Sequence, residues 1–452
     1  MTKIFERVNA FVWGASALIL ILGVGLYLSI RTGFAQFRFF PEALRAFIKA
    51  FRSRKSKNNG VSPMQALCTA LAATVGTGNL VGVAGAICLG GPGSIFWMWL
   101  CGFIGMMTKF AEAVLAVRYR VRQGDGYVGG PMYMIRNGMG NRTLAVLYSV
   151  FGLVAAFGVG NATQINAVVT GMNGIIIRFG GTVTPGKNLA MGILLAIPIG
   201  MMLLGGAKRI GTVAEKLVPF AAAAYVILCA AVLFLRYEYI PDALMRIVKG
   251  AFSPKAVTGG MIGSAFTVLR TGCARGVFTN EAGMGTASIA HAGASVAHPV
   301  QQGLMGIMEV FLDTVLICTL TALVILTSGV PIPYGQNVGT ELTVNAFSAV
   351  CGGWVDLFIT AALCCFAFAT VLGWGLYGAR CAEYLFGSRA WRFFAAFQIL
   401  TVVAASVMGT GIVWTLAETL NGLMSIPNLI ALAALSPELL RLTIEYKEKT
   451  GR

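Results

Sequence analysis

Long apolar stretches separated by short polar connections run along almost the whole chain of 452 residues. Most of these stretches reach the ~20 residues that a helix needs to cross a bilayer, so the pattern predicts membrane-spanning helices. We place eleven spans, near residues 10–31, 64–89, 93–117, 144–173, 188–206, 213–235, 258–290, 303–328, 343–379, 393–412 and 414–436. The stretch 343–379 is longer than one span requires, and we expect part of it to lie at the surface or to be broken at Gly352-Gly353. The pattern therefore predicts an all-α polytopic membrane protein.

Two of the predicted spans contain polar interruptions. The second span carries Ala-Thr-Val-Gly-Thr-Gly-Asn at 73–79, and the seventh carries Thr-Asn-Glu-Ala-Gly-Met-Gly-Thr at 279–286. Lipid cannot satisfy a freed backbone N–H or C=O, so a break at membrane depth persists only where protein or a polar cavity receives those groups. Such breaks are typical of secondary transporters, where the freed backbone binds substrate and coupled ion. We therefore predict broken helices over 64–90 and 258–292, with a binding site at the breaks.

The positions of the two breaks also predict internal symmetry. Without the first helix ten spans remain, and the interrupted spans open each group of five. The first group begins inside and the second begins outside, which is the arrangement of an inverted repeat. The predicted organisation is an amino-terminal helix with a basic loop, a first five-helix repeat, a second five-helix repeat and a cytoplasmic tail, at residues 1–63, 64–240, 241–440 and 441–452.

The composition and the charge distribution support a membrane protein and orient it. Only 11% of the residues are charged, whereas soluble domains contain roughly a quarter. Of the 34 lysines and arginines, 23 fall in segments predicted to be inside and eight in segments predicted to be outside. This bias places the amino terminus outside the cell and the carboxyl terminus in the cytoplasm. The membrane that the chain crosses is expected to be a cell membrane, inner or plasma. It also explains the net charge of +17 without a nucleic-acid partner.

The sequence contains no signature of an enzyme or of a resident metal. Neither H-E-x-x-H nor G-x-S-x-G occurs, and the ten cysteines form no C-x-x-C pair. Two histidines, His291 and His298, fall in the predicted loop after the seventh span, which is too few for a metal site. We expect no catalytic residues, no metal beyond a transported cation, and no organic cofactor.

Six motifs in a fixed order resemble those of the alanine/glycine:cation symporter family, which is also called the sodium:alanine symporter family. They are the run at 73–79, Gly-Pro-Gly-Ser-Ile-Phe-Trp-Met-Trp at 91–99, Gly-Gly-Pro-Met-Tyr at 129–133, Gly-Val-Phe-Thr-Asn-Glu-Ala-Gly-Met-Gly at 276–285, His-Pro-Val-Gln-Gln-Gly at 298–303 and Leu-Gly-Trp at 372–374. The resemblance covers essentially the whole chain. It implies a leucine-transporter-like fold with one added amino-terminal helix, and transport of alanine or glycine driven by sodium or, in some members, by protons.

The first interruption offers groups that suit a zwitterionic amino acid. Backbone N–H groups around Gly76, Thr77 and Gly78 can donate to a carboxylate, and the Asn79 amide can donate or accept. The resemblance implies that these residues hold the substrate backbone; the alternative is that the glycines only allow close helix packing.

The resemblance also implies further substrate residues. Gln164 would face the substrate, although a buried glutamine also commonly bonds a neighbouring helix. Trp374 would close the apolar side of the pocket and exclude long side chains, although a buried indole is also ordinary core. The weaker candidates are Phe157, Phe278 and Asn280.

The resemblance places a cation between the first broken helix and the stretch 343–379. Hard oxygen ligands are expected, from the Thr370 hydroxyl and from carbonyls near Ala73 and Gly76. This chain departs from the family pattern at Ala369, where Ser or Thr is usual, and Leu376 and Ala379 also replace more polar residues. One oxygen ligand is therefore expected to be missing, which leaves the coupling ion open between sodium and a proton.

Charged residues inside spans are expensive and are therefore functional candidates. Lys109 and Glu112 lie three apart on one predicted helix, so mutual pairing or snorkelling is expected. For Glu309 and Asp313 we expect a structural ion pair with Arg270 or Arg275, with proton coupling as the alternative.

Together these features predict a secondary active symporter that imports a small neutral amino acid with a cation, most simply sodium, by alternating access. Its partners are the amino acid, the sodium ion and the lipid bilayer, and the oligomeric state stays open. A symporter of glutamine or serine, or a proton-coupled one, is the alternative. A channel or a membrane-embedded enzyme is a remoter alternative.

Overall fold

The computed structural model describes residues 14–52, 61–124, 126–336, 340–408 and 410–450. The start of the predicted first span at 10–13, part of the basic loop at 53–60 and the last two residues of the predicted tail lie outside these ranges. The described chain is almost wholly helical, as the apolar pattern predicts.

The helices of the first half are α1 (Ala15–Arg31), α2 (Ala35–Arg38), α3 (Phe40–Arg52), α4 (Pro63–Thr74), α5 (Gly78–Gly90), α6 (Ser94–Arg118), α7 (Pro131–Gly138), α8 (Arg142–Arg178), α9 (Pro185–Leu204) and α10 (Gly206–Leu235). The helices of the second half are α11 (Ile240–Phe252), α12 (Pro254–Thr258), α13 (Ala265–Asn280), α14 (Thr286–Ala292), α15 (Pro299–Thr327), α16 (Glu341–Cys351), α17 (Val355–Phe386), α18 (Ala390–Ala405), α19 (Thr410–Ala434) and α20 (Ser436–Thr450). A single turn of 3₁₀ helix (Tyr237–Tyr239) precedes α11.

Within the described residues, six helices are long and apolar enough to cross a bilayer, and there are up to eight spans if each bent pair is counted as one. The six are α6, α8, α9, α10, α15 and α17. The bent pairs are α4 with α5, at 50°, and Asn421–Ala434 with α20, at 59°. The chain is therefore a multi-pass membrane protein.

Three of the long helical stretches contain π-helical segments, at Gly78–Gly82 in α5, Gly158–Ala162 in α8 and Phe311–Cys318 in α15. A π-helical turn shifts the hydrogen-bond register and is frequent at functional sites. The sequence pattern does not predict these segments.

The central helix of the bundle is α6. Its most apolar 18-residue window is 83% buried inside the protein, whereas the corresponding window of α9 is 28% buried. Because α9 is equally apolar but exposed, it faces lipid, and α6 packs among other helices. Gly93 just before α6 allows this packing, since a β-carbon there would lie 2.1 Å from the Gly250 carbonyl carbon of α11.

Two local features of the connections are resolved. Strands β1 (Val121–Gln123) and β2 (Gly126–Val128) form a short antiparallel ribbon after α6, which was not predicted. The predicted break at Gly352-Gly353 is present, because α16 ends at Cys351 and Gly352 adopts φ 82° before α17 begins. The long stretch 343–379 is thus a short helix followed by a spanning one.

Candidate functional site

The first predicted break lies between α4 and α5. The α4 helix begins with a capping box, in which the Ser62 hydroxyl accepts from the Gln65 N–H and the Gln65 side chain accepts from the Ser62 N–H. It ends at Thr74, and Val75 is extended with ψ 94°. The Asn79 side-chain oxygen accepts the Gly76 N–H at 2.9 Å and so fixes the turn. The interruption predicted at 73–79 is confirmed.

Gln164 contacts this break from α8. The Thr77 hydroxyl donates to Gln164 Oε1 at 3.1 Å, and Gln164 Nε2 donates at 3.2 Å to the Val159 carbonyl in the π-helical segment. A β-carbon on Gly76 would lie 3.5 Å from Gln164 Oε1. The structure thus brings three predicted substrate residues together. In this conformation Gln164 also makes the interhelical bond that the alternative interpretation expects.

The predicted cation residues pack closely together, and Thr370 lies on the same side of Gly76 as Gln164. A β-carbon built on Gly76 would lie 2.5 Å from Thr370 Oγ1, and one built on Gly373 would lie 2.9 Å from Ala73 Cβ. The Thr370 hydroxyl donates to the Phe366 carbonyl at 3.0 Å, which leaves its oxygen lone pairs available. Ala369 is buried beside Thr370 and contributes no side-chain oxygen.

The second predicted break separates α13 from α14. Glu281, Gly283 and Gly285 have positive φ values of 54°, 95° and 77°. Asn280 Oδ1 accepts the Ala282 N–H at 2.9 Å, and its Nδ2 donates to Thr314 at 3.1 Å. The predicted interruption is confirmed, and the amide of Asn280 supports the backbone of the break.

A buried carboxylate on α15 joins the two breaks. Asp313 Oδ1 accepts from Asn79 Nδ2 at 2.7 Å, and Asp313 Oδ2 accepts from the Thr314 hydroxyl at 2.8 Å. Thr314 in turn accepts from Asn280, so one chain of hydrogen bonds runs from the first break to the second. Gly78 packs directly on Thr279, because a β-carbon there would lie 3.0 Å from Thr279 Cγ2. That contact is the close packing offered as the alternative for the glycines.

The remaining aromatic candidates occupy different places. Trp374 on α17 is 1% exposed and packs on Gly160, where a β-carbon would lie 2.2 Å from Trp374 Cβ. Phe278 is buried in α13 within the apolar core. Phe157 packs against Phe394, with ring centroids 5.2 Å apart, and lines an apolar cleft with it. Among the contacts of the described residues, Phe157 is not joined to the residues of the first break.

The buried charges pair differently from the expectation. Lys109 Nζ lies 3.3 Å from Glu309 Oε1. Glu112 Oε1 instead accepts the Gly283 and Gly285 N–H groups at 2.9 and 3.0 Å, because α6 runs beside the second break. Lys109 and Glu112 are both fully buried, so the expected mutual pairing and snorkelling are wrong, and the ion pair of Glu309 is made with Lys109.

His291 is also placed differently. It lies in α14 and is fully buried, where its Nε2 is 2.8 Å from Glu309 and its Nδ1 is 2.7 Å from Gln302. The expectation of a loop is wrong because α14 continues the chain beyond the break. No group of three His, Cys, Asp or Glu side chains in the described ranges is arranged to hold a metal ion.

The sequence analysis missed Glu112, Asp313 and Thr314 as parts of the two breaks, and it gave no role to Glu281, which lies inside the predicted second interruption. For the carboxylates the signal was available, since each is an acidic residue in an apolar frame. Their partners could not be read from the sequence, because Asn79 and Asp313 are 234 residues apart.

The site is closed in this conformation. Thr77, Gln164, Thr370 and Trp374 are each between 0% and 3% exposed. A ligand held between them would be shielded from water on both sides of the membrane.

Comparison with known proteins gives consistent matches over the whole chain. The model of the "Sodium:alanine symporter family" matches residues 1–452. An uncharacterized transporter of Haemophilus influenzae is 42% identical, with 99% of this chain and 96% of that protein covered. The sodium/alanine symporter AgcS of Methanococcus maripaludis is also 42% identical, with 99% and 97% covered. The crystal structure of MhsT in complex with L-phenylalanine superposes with a TM-score of 0.59 at 13% identity, with 86% of this chain and 99% of that chain covered, which shows the shared fold.

Proposed function

Since this chain belongs to the sodium:alanine symporter family, we propose that it imports alanine or glycine together with sodium by alternating access. The family is one of secondary transporters and not of enzymes. The relative named a sodium/alanine symporter supports both the substrate and the ion. The single observation that carries the proposal is the break between α4 and α5, where Thr77, Gln164 and Thr370 converge on the backbone of Gly76.

The electrostatics of the two breaks favour the first one as the substrate site. At the second break the N–H groups of Gly283 and Gly285 already bind the Glu112 carboxylate. A substrate carboxylate there would be repelled, because buried like charges interact strongly at low dielectric. At the first break Thr77 and Gln164 are uncharged, and the nearby Asp313 carboxylate bonds the Asn79 side chain and not the backbone N–H groups. The substrate carboxylate is therefore assigned to the backbone of residues 76–78, and its ammonium to the Gln164 side-chain oxygen.

The cation is assigned to carbonyl groups of the same backbone together with Thr370, which lies next to Gly76. Sodium prefers hard oxygen ligands, and the Ala73 and Gly76 carbonyls together with the Thr370 hydroxyl supply them. Because Ala369 adds no ligand, we expect weak sodium affinity in the absence of amino acid. Substrate and ion share Gly76, so each should strengthen the binding of the other by a reciprocal ~1–3 kcal/mol.

We propose the number of spans, the internal repeat and the orientation from the sequence pattern. We assign eleven spans, a 5+5 inverted repeat over 64–240 and 241–440, and an amino terminus outside the cell membrane. The positive-inside bias supports this orientation. A reporter domain fused after Arg452 tests it: activity in the cytoplasm is expected, and activity outside the cell would overturn the topology.

The function is tested by uptake of labelled alanine into proteoliposomes with an inward sodium gradient, an inward proton gradient, or neither. We expect accumulation against a gradient with sodium only. Accumulation with protons only would show that the coupling ion is a proton and not sodium. Equilibration of alanine without accumulation would indicate a channel. Competition with unlabelled glycine, serine and glutamine ranks the substrates, with glycine expected to compete best.

A further inference from the structure

Glu281 is a buried carboxylate that the proposed transport mechanism does not use. It caps the carboxyl end of α13 and is 2% exposed. Its φ of 54° is a left-handed conformation, which costs a residue with a β-carbon roughly 1–2 kcal/mol. Among the described residues only Phe34 and Glu281 adopt positive φ without being glycine. Strain of this kind persists where the surroundings enforce it, and it is concentrated at functional sites.

The left-handed turn directs the Glu281 carboxylate to two donors on different elements. Oε2 accepts the hydroxyl of Thr286, the first residue of α14, at 2.5 Å. Oε1 accepts the indole N–H of Trp374 on α17 at 2.8 Å. Both donors are buried, so water does not compete for either bond. Glu281 therefore ties the second break to α17.

Trp374 stands next to the proposed substrate site. It lies one helical turn after Thr370 on the same face of α17. Its ring and Cβ rest on Gly160, in the π-helical segment of α8 that ends two residues before Gln164. A change in the angle of the indole would therefore change the space available beside Gly76.

We propose that Glu281 is a positioning residue for substrate size selection. Its carboxylate holds the indole of Trp374 against Gly160, and the held indole forms the wall that admits the side chains of alanine and glycine but not longer ones. This inference rests on the proposed function, because it assigns Trp374 to the wall of that same site.

Glu281 also bonds Thr286, so a purely structural role in the second break makes a different prediction. If Glu281 only stabilised the break, its removal would lower protein stability and transport of every substrate to the same extent. If it acts through Trp374, its removal changes the ranking of substrates. The ratio between large and small substrates therefore separates the two roles.

The experiment measures sodium-driven alanine uptake in proteoliposomes and its inhibition by valine and leucine. The variants are Glu281→Ala, Trp374→Phe, the double variant, Glu281→Gln and Thr286→Val. We expect Glu281→Ala and Trp374→Phe each to improve the relative inhibition by valine and leucine about tenfold, since both remove one N–H to carboxylate bond. The double variant should be no more permissive than either single variant.

Glu281→Gln should retain most of the selectivity, because its amide oxygen can accept the indole N–H. Thr286→Val should leave the selectivity unchanged.

Additive effects in the double variant, or selectivity equal to wild type in both single variants, would overturn the inference. If Glu281→Ala does not fold, Glu281→Asp decides it, since the shorter side chain loses the bond to the indole N–H and the inference then requires a permissive protein. The wild-type protein provides the separate check on the function: if it fails to accumulate alanine with sodium, the proposed function is wrong. If it accumulates alanine and the variants keep its selectivity, only the role of Glu281 is wrong.

Discussion

At the first break, hydrogen bonds from single side chains replace the helical hydrogen bonds that are missing there. Asn79 accepts the Gly76 N–H, and Gln164 accepts from Thr77 while donating to Val159. Polar groups buried this deeply must be paired, because an unpaired one costs about 1–3 kcal/mol. The same pairs that stabilise the closed form would have to be exchanged for substrate contacts when an amino acid binds.

Gln164 provides the sharpest test at the level of a residue. Gln164→Ala should raise the KM for alanine about tenfold, because one substrate hydrogen bond of ~1–1.5 kcal/mol is lost. The matched control is Asn166→Ala, which removes a comparable bond from α8, the one that Asn166 donates to the Met408 carbonyl at 2.9 Å. The control should leave the KM unchanged. Equal effects of the two substitutions on the KM would show that Gln164 makes only an interhelical contact and does not bind the substrate.

The polar residues of the breaks were predictable from the sequence, whereas their partners were not. An apolar frame around 73–79 and 279–286 is a local signal, and both breaks are present. The joining of Asn79 to Asp313, and of Glu281 to Trp374, depends on helices far apart in the chain. For the same reason Lys109 could not be matched to Glu309 from spacing on one helix.

At the level of elements, interruptions on several helices meet around the first break. Asn79 at the break between α4 and α5 donates to the Asp313 carbonyl in the π-helical segment of α15, and Gln164 donates to the Val159 carbonyl in the π-helical segment of its own helix, α8. Glycines at these points let the helices approach closely. Propensity alone does not reveal such π-helical turns, because their residues are also compatible with a regular helix.

Gly160 tests this close approach. Gly160→Ala places a methyl group where Trp374 now lies, 2.2 Å from its Cβ, and overpacking of this kind costs about 1–3 kcal/mol. We expect a lower melting temperature in detergent and impaired alanine uptake. Gly174→Ala on the same helix is the matched control, because nothing lies within 4 Å of its added β-carbon. A Gly160→Ala protein as stable and active as Gly174→Ala would contradict the packing described.

His298 caps α15 outside the membrane-spanning segments, and its cap depends on pH. Nδ1 accepts the Val300 N–H at 3.3 Å, which requires a neutral ring. Burial lowers the pKa of His298 below its usual range, against the smaller opposing effect of Glu445. Stability from this group is therefore complete above about pH 6.5 and is lost as the pH falls through the lowered pKa.

The expected effect is a melting temperature that decreases by about 1–2 °C between pH 7 and pH 5, since a cap contributes about 1 kcal/mol. His298→Asn keeps a capping oxygen but does not titrate, so it should lack this part of the pH dependence. The measurement is thermal unfolding of both proteins across that range. Superimposable pH profiles would show that the cap does not titrate.

At the level of the whole molecule, the two breaks differ in how a carboxylate is bound. At the second break the Glu112 carboxylate binds backbone N–H groups, whereas at the first break the Asp313 carboxylate binds only the Asn79 side chain. The second break is thus fixed internally, while the first keeps a backbone that suits an external anion. The closed arrangement around it fits an intermediate of alternating access, in which neither side of the membrane reaches the site.

The central claim is that the amino acid and sodium bind together at the first break. Its most direct test is calorimetric measurement of alanine affinity in sodium and in potassium, for the wild-type protein and for Thr370→Val. We expect sodium to raise the alanine affinity of the wild type about 5–150-fold, and Thr370→Val to lose most of this increase. Equal alanine affinity in sodium and potassium for the wild-type protein would contradict the account.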